Sequence, residues 1–181
     1  VSETRVDKGR ELLKKHEDLL AEIYRDYGVP PRYLVAFWGM ETNFGSYFGG
    51  VSTMDALATL ACDDRRSGYF TEQLMAALRI VDEGAIPAER MEGSWAGALG
   101  HVQFMPSVFA EYAVDYDGDG RRDLWNSVPD AMASAANFLR GIGWEPGWRW
   151  GREVTLPAEF PYELSGYANR RPMREWKGLG V

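Results

Sequence analysis

The sequence is poor in the residues on which most cofactor and nucleotide chemistry depends. Cys62 is its single cysteine, which excludes an internal disulfide and a cysteine-based zinc site. Its two histidines, His16 and His101, fall into no HExxH or other metal pattern. Glycine-rich phosphate loops and the serine-histidine-aspartate order of serine hydrolases are also missing. No window approaches the roughly 18 consecutive apolar residues of a membrane span. The opening stretch, VSETRVDKGRELLKKHEDLL, has no signal-peptide core, although a leader or anchor upstream would be compatible with that. Positive charge is scarce as well. A net charge of -7 argues against nucleic acid, which selects a basic surface. No repeat, low-complexity tract or long linker interrupts the 181 residues, so one mainly helical (α+β) domain over 1–181 is expected.

What the chain does have is aromatics among acids: 7 Trp, 9 Tyr and 8 Phe. Sugar rings pack on aromatic faces, so this composition fits a glycan cleft, although aromatics also fill cores. The stretch VPPRYLVAFWGMETNFG, residues 29–45, organises the rest. Pro30 and Pro31 suit a helix start and Gly45 a stop. Leu34, Phe37, Trp38 and Glu41 then follow at helical spacing, which puts a carboxylic acid in line with three large apolar side chains. An acid there is paired, held neutral by a raised pKa, or functional. The plainer alternative is an acid at the helix end whose head reaches water.

Taken in order, residues 3–27 predict one amphipathic outer helix closed by Gly28. Ser52 and Asp55 make a capping-box-like start for DALATLAC. Arg65 and Arg66 follow in a polar loop, either solvated or facing an anionic group. Helical spacing resumes from Tyr69 to Glu83 and stops at Gly84. In GSWAGALGHVQFMPS, residues 93–107, Gly93, Gly97 and Gly100 imply a loop or close backbone approach. Ser94 and Gln103 are its polar groups able to converge on a ligand, and a helix begins near Pro106.

DYDGDG, from Asp115 to Gly120, opens like an EF-hand calcium loop, with Asp115, Asp117 and Asp119 at positions one, three and five and Arg121 at seven. Position twelve is Asn126 where a bidentate Glu is usual, so Asp130 is the first acid able to close the shell. Asp130 also reads as part of a capping box with Ser127 for the helix DAMASAANFLR. Structural Ca2+ and a simple cap-and-turn both fit. Beyond Gly143 the chain is rich in Trp144, Trp148, Trp150 and prolines, and Val154 to Leu156 predict one short strand.

With these motifs assembled, the chain resembles the membrane-bound lytic murein transglycosylase B family of lysozyme-like, peptidoglycan-cutting enzymes. Four segments match in order: WGMETNFG, DALATLA with the two arginines after it, GSWAGALGHVQFMPS, and DGDGRRDLWNSVPDAMASAANFL. The resemblance implies a lysozyme-like fold with an EF-hand-like loop and Glu41 as the single catalytic acid and base. It implies that Ser94, Gln103 and Phe104 line the glycan site and that Arg65 and Arg66 lie near the peptide stem. Phe138 stands where relatives can carry a Tyr. It further implies that catalysis uses no cofactor, that any Ca2+ is structural, and that a monomer acts on glycan strands in the periplasm, anchored if at all through a segment outside this chain. Relatives continue past position 181 with a further cleft segment unmatched here, so a domain lacking that segment is expected. A hydrolytic muramidase on the same fold and a non-catalytic glycan-binding module are the rival readings.

Overall fold

The computed structural model describes residues 2–147 and 151–181; Trp148 and Trp150 lie outside them. Two compact units result, one over 1–146 and one over 147–181.

The first unit is helical. Its elements are α1 (Glu3–Lys15), α2 (Glu17–Tyr27), α3 (Pro31–Thr42), α4 (Thr53–Ala61), α5 (Ser67–Asp82), α6 (Pro106–Tyr112) and α7 (Val128–Gly141), with two two-residue strands, β1 (Val51–Ser52) and β2 (Glu92–Gly93). Helix α7 is the centre of packing. Asp130 through Ala136 are all buried, and the run of Ala and Ser lets α2, α3 and α6 approach it closely. A helix buried on every side belongs to a core, not a surface. Ser127 caps it, its hydroxyl oxygen accepting the Asp130 N–H at 3.2 Å; Ser52 caps α4 in the same way through the Asp55 N–H.

The predicted helix over 3–27 is two helices. They part at His16, whose backbone leaves helical geometry at φ -110° and ψ 26°. No Pro or Gly marks that break. Instead the His16 ring stands edge-on to Trp38, with centroids 6.0 Å apart, while Leu12 on one side and Leu20 and Ile23 on the other enter the core. Helix α3 ends three residues before Gly45, because Asn43 already takes the left-handed cap at φ 49°.

In the second unit, Val154–Leu156 forms no strand. A strand needs a partner edge, and among the described residues the sheet consists of β1 and β2 alone. The unit is built instead around buried Phe160, which packs near Tyr162 and Trp176 at 5.4 and 6.2 Å between centroids. A short 3-10 turn, Tyr162–Leu164, and α8 (Met173–Gly178) carry those rings. No helix among the described residues is long and apolar enough to cross a membrane.

Candidate functional site

The last turn of α3 opens onto a cleft. Its buried face is Leu34, Val35, Trp38, Gly39 and Thr42. Glu41 is not on that face. It is solvent-accessible because the helix stops one residue later, so no further turn covers it. The Leu34–Trp38–Glu41 row therefore runs from the core out to the cleft. Glu41 borders a cavity of about 240 Å³, lined also by Tyr47, Phe48, Val51, Ser94, Trp95 and Gln103, and it is the one carboxyl group of that lining. Its tip reaches water, but the surrounding protein displaces enough solvent to raise its pKa above the usual carboxylate value. Among the described residues no hydrogen bond or ion pair from another side chain offsets that effect.

Two loops wall the cavity, and the strands hold them together. β1 and β2 pair antiparallel, Val51 with Gly93 and Ser52 with Glu92. Leu99 then bridges both Gly93 and Phe104, folding 93–104 back on itself. Gly49, at φ 102°, is pressed against the Gly93 carbonyl so closely that any Cβ would collide with it. Ser94 Oγ accepts the Ala98 N–H at 3.0 Å and the Ala96 N–H at 3.3 Å, which leaves the hydroxyl proton available to a ligand. Gln103 adopts φ 49°, uncommon for a residue with a side chain. Its Nε2 donates to the carbonyl oxygens of Phe48 at 3.0 Å and Gly100 at 3.1 Å, so Oε1 is the free end of the amide.

Phe104 and Phe138 are not among the cavity's lining residues. Phe104 is only 3% exposed and packs on Phe138 at 5.3 Å between centroids. Phe138 also meets Phe37 and Tyr112, so the four rings support α3 from behind.

Arg65 and Arg66 border a neighbouring cavity of about 220 Å³ with Leu60, Asp63, Phe70 and Trp95. Trp95 lines both cavities, and it is 73% exposed. The two arginines differ. Arg65 grips Asp63 through Nε and Nη2 at 2.9 and 2.8 Å, which pulls the Asp63 pKa down to about 2. Arg66 lies over the Tyr69 ring, 4.4 Å from its centroid, and has no ion pair among the described residues. Sequence reasoning passed over Trp95, Tyr47 and Phe48 as site residues. The available signal was an aromatic residue inside each glycine-bearing loop.

His101, which no sequence pattern explained, is a buried junction. Its Nδ1 accepts the Trp38 Nε1–H at 2.9 Å, and its carbonyl oxygen accepts the Thr42 hydroxyl at 2.8 Å. Burial pushes its pKa down to about 4, with Asp123 opposing, so the ring is neutral at ordinary pH.

In the acidic loop, carboxylate oxygens of Asp115, Asp117 and Asp130 all lie within 4.8 Å of one another. Asp115 accepts the N–H groups of Gly118 and Gly120 at 2.8 Å each. Asp130 accepts those of Tyr116 and Asp123 at 2.8 and 2.9 Å, which ties the loop to the start of α7. Burial nevertheless raises the Asp130 pKa. Three converging carboxylates, one of them buried, form a donor set suited to a hard cation. The Asp119 carboxylate turns instead to the Arg121 N–H at 2.8 Å.

A mainly helical domain with a lone carboxyl group in an aromatic-walled cleft is of the lysozyme-like type. The family model described as "Transglycosylase SLT domain" matches residues 1–181, and the chain belongs to that family. It is 40% identical over 143 residues to membrane-bound lytic murein transglycosylase B of Escherichia coli K12, covering 78% of this chain and 39% of the relative. It superposes on SltB3 from Pseudomonas aeruginosa in complex with NAG-anhNAM-pentapeptide with a TM-score of 0.96 at 47% identity, over 99% of this chain and 48% of that one. It superposes on E. coli lytic transglycosylase Slt35 in complex with calcium at 0.79 and 36% identity, over 89% and 53% of the two chains. The chain thus spans about half the length of these proteins or less.

Proposed function

We propose that the first unit is the catalytic part of a lytic transglycosylase that cuts the β-1,4 bond between N-acetylmuramic acid and N-acetylglucosamine in peptidoglycan. The observation that carries this is a single carboxyl group, Glu41, in a cavity that offers no second one. Ordinary glycosidases need two, one for the leaving group and one for water or as nucleophile. One suffices when the substrate supplies the nucleophile. Glu41 in its acid form donates its proton to the glycosidic oxygen as the C1–O bond breaks, and the glucosamine leaves as an alcohol. The carboxylate then takes the proton of the muramyl C6 hydroxyl while O6 bonds to C1. The products are a 1,6-anhydro end and a regenerated acid, with no water consumed. The raised pKa of Glu41 suits the first half, because a general acid must hold its proton near neutral pH.

Ser94 and the Gln103 amide oxygen supply polar contacts beside Glu41, and Trp95 a face for a sugar or acyl group to lie on. Arg66, free of an acidic partner among the described residues, is better placed than Arg65 to meet a carboxylate of the peptide stem. Phe104 and Phe138 act from behind by holding α3. The Asp115, Asp117 and Asp130 carboxylates would hold a structural calcium ion, and Asp119 would join them with Arg121 on releasing the Arg121 N–H that it accepts here. Bound there, it would neutralise the converging carboxylates and would take no part in bond cleavage. The NAG-anhNAM-pentapeptide complex of SltB3 supports the transglycosylase reading over a hydrolytic one, and a peptidoglycan substrate supports a setting outside the cytoplasm. Mass spectrometry of fragments released from purified peptidoglycan tests the proposal. Anhydro-ended muropeptides are expected; products heavier by one water, with reducing ends, would make the enzyme a hydrolase.

A further inference from the structure

Glu41 has no side-chain partner among the described residues, so the direction of its carboxyl group depends on the backbone of the last turn of α3. Terminal turns fray unless something fixes them. Here the fixing group is His101, and it reaches α3 on both sides of Glu41. Three residues before it, the Trp38 indole N–H ends on the imidazole Nδ1 at 2.9 Å in a buried hydrogen bond. One residue after it, the Thr42 hydroxyl ends on the His101 carbonyl oxygen at 2.8 Å. The same Thr42 oxygen accepts the Gly45 N–H at 3.0 Å, and Gly45 lies against the imidazole with no room for a Cβ.

The histidine is equally bound to elements outside α3. Its own N–H donates to the Leu124 carbonyl at 2.8 Å, the Phe48 ring stands edge-on to it with centroids 4.8 Å apart, and Gln103 is two residues further on. Through its imidazole, which takes the Trp38 N–H and the edge of Phe48, and its backbone, which takes the Thr42 hydroxyl, this one buried residue joins the helix that carries Glu41, the loop that carries Phe48 and the loop that carries Ser94 and Gln103. Trp38 needs an acceptor, and a buried indole N–H without one carries its full desolvation penalty.

We propose that His101 is a positioning residue: through Trp38 and Thr42 it sets the orientation of Glu41 toward the scissile bond, and so governs the rate of proton transfer more than glycan affinity. This rests on Glu41 being the proton donor, as proposed above.

The test compares wild type, His101→Phe and His101→Asn, as full chains, on soluble uncrosslinked peptidoglycan strands, following kcat, KM, anhydro product and melting temperature. Phenylalanine keeps bulk and removes the acceptor; asparagine returns an oxygen near the place of Nδ1. His101→Phe is expected to lower kcat at least tenfold with KM changed less than twofold, and His101→Asn to recover most of the kcat. An unchanged kcat in His101→Phe, or a loss that falls equally on KM, overturns the inference, as does an asparagine variant no better than phenylalanine at equal melting temperature. If His101→Phe does not fold, Trp38→Phe decides, because it removes the same hydrogen bond from the donor side: a fivefold or greater fall in kcat at constant KM supports positioning, and wild-type kcat overturns it. Wild type yielding no anhydro product would refute the transglycosylase reading itself, a result distinct from any of these.

Discussion

The Gln103 amide nitrogen donates to the Phe48 carbonyl oxygen at 3.0 Å across 55 residues of sequence. That bond latches the 45–50 loop to the 93–105 loop, and both loops wall the Glu41 cavity. Gln103 does this from a left-handed backbone, a conformation that costs energy and persists only where neighbours enforce it. Replacing it by leucine removes the donor from two carbonyls, at about 1 kcal/mol each. Gln103→Leu is therefore expected to lose about 2 kcal/mol in denaturant unfolding. Activity should fall at least tenfold, because the walls of the cavity lose their registration. Full activity with the stability loss would show that the latch serves folding alone.

Glu41→Gln keeps the shape and removes the proton. General acid and base roles are each worth about 10² to 10⁴ in rate, so cleavage should fall by at least about 10³. The stability effect has a definite sign. Desolvation raises the folded-state pKa of Glu41, so the folded protein holds this proton more tightly than the unfolded chain does. The resulting stabilisation is present below the unfolded carboxylate pKa and is lost as pH rises through the folded value. Glutamine has no such loss. Melting curves at pH 4 and pH 7 should show the variant gaining on wild type at the higher pH. A variant that instead falls behind at pH 7 would mean that the ionised carboxylate is stabilised by a partner.

What was legible in the sequence was local. Pro30 and Pro31, the Leu34–Trp38 spacing and the Ser52 and Ser127 caps are signals within a few residues of each other, and each lies where its spacing implies; in the acidic loop Asp115, Asp117 and Asp130 converge but Asp119 turns away. The Glu41 environment was half legible: periodicity gives its row, but the abrupt stop at Asn43, which leaves it at the cleft edge, is a tertiary outcome. His101 was illegible because its partners stand 59 and 63 positions away. The His16 break has no Pro or Gly to announce it. Trp95 looks in sequence like any core aromatic, and only its exposure separates it from Trp38. Val154 to Leu156 has strand-like composition but lacks the paired edge that a strand needs.

Calcium should stabilise the first unit through Asp115, Asp117 and Asp130. Three carboxylates within 4.8 Å repel without a cation, and a ligand present at a hundred times its Kd adds about 2.7 kcal/mol. Titration should raise the melting temperature by several degrees. Asp117→Ala should abolish the rise, and the calcium-free melting temperature of that variant serves as its own baseline, since Asp117 also accepts the Ser127 hydroxyl at 2.7 Å. Magnesium should do less, because it prefers a rigid octahedron and retains its water. A melting temperature indifferent to calcium would reduce the loop to a turn that caps α7.

Trp95 and Arg66 separate the two halves of the cleft. Trp95 borders both cavities and is largely exposed, so Trp95→Ala should change stability by no more than about 0.5 kcal/mol. It should nevertheless weaken binding about tenfold for naked glycan strands and for strands bearing peptide stems alike. Arg66 borders only the second cavity. Arg66→Ala should therefore weaken binding of stem-bearing strands and leave naked strands unaffected, whereas Arg65→Ala should do little to either, because Asp63 already occupies that guanidinium. Binding isotherms for the three variants against the two substrates decide the matter. Equal losses on naked and stem-bearing strands for Arg66→Ala would remove the peptide stem from the second cavity and leave Trp95 as a platform for the glycan alone.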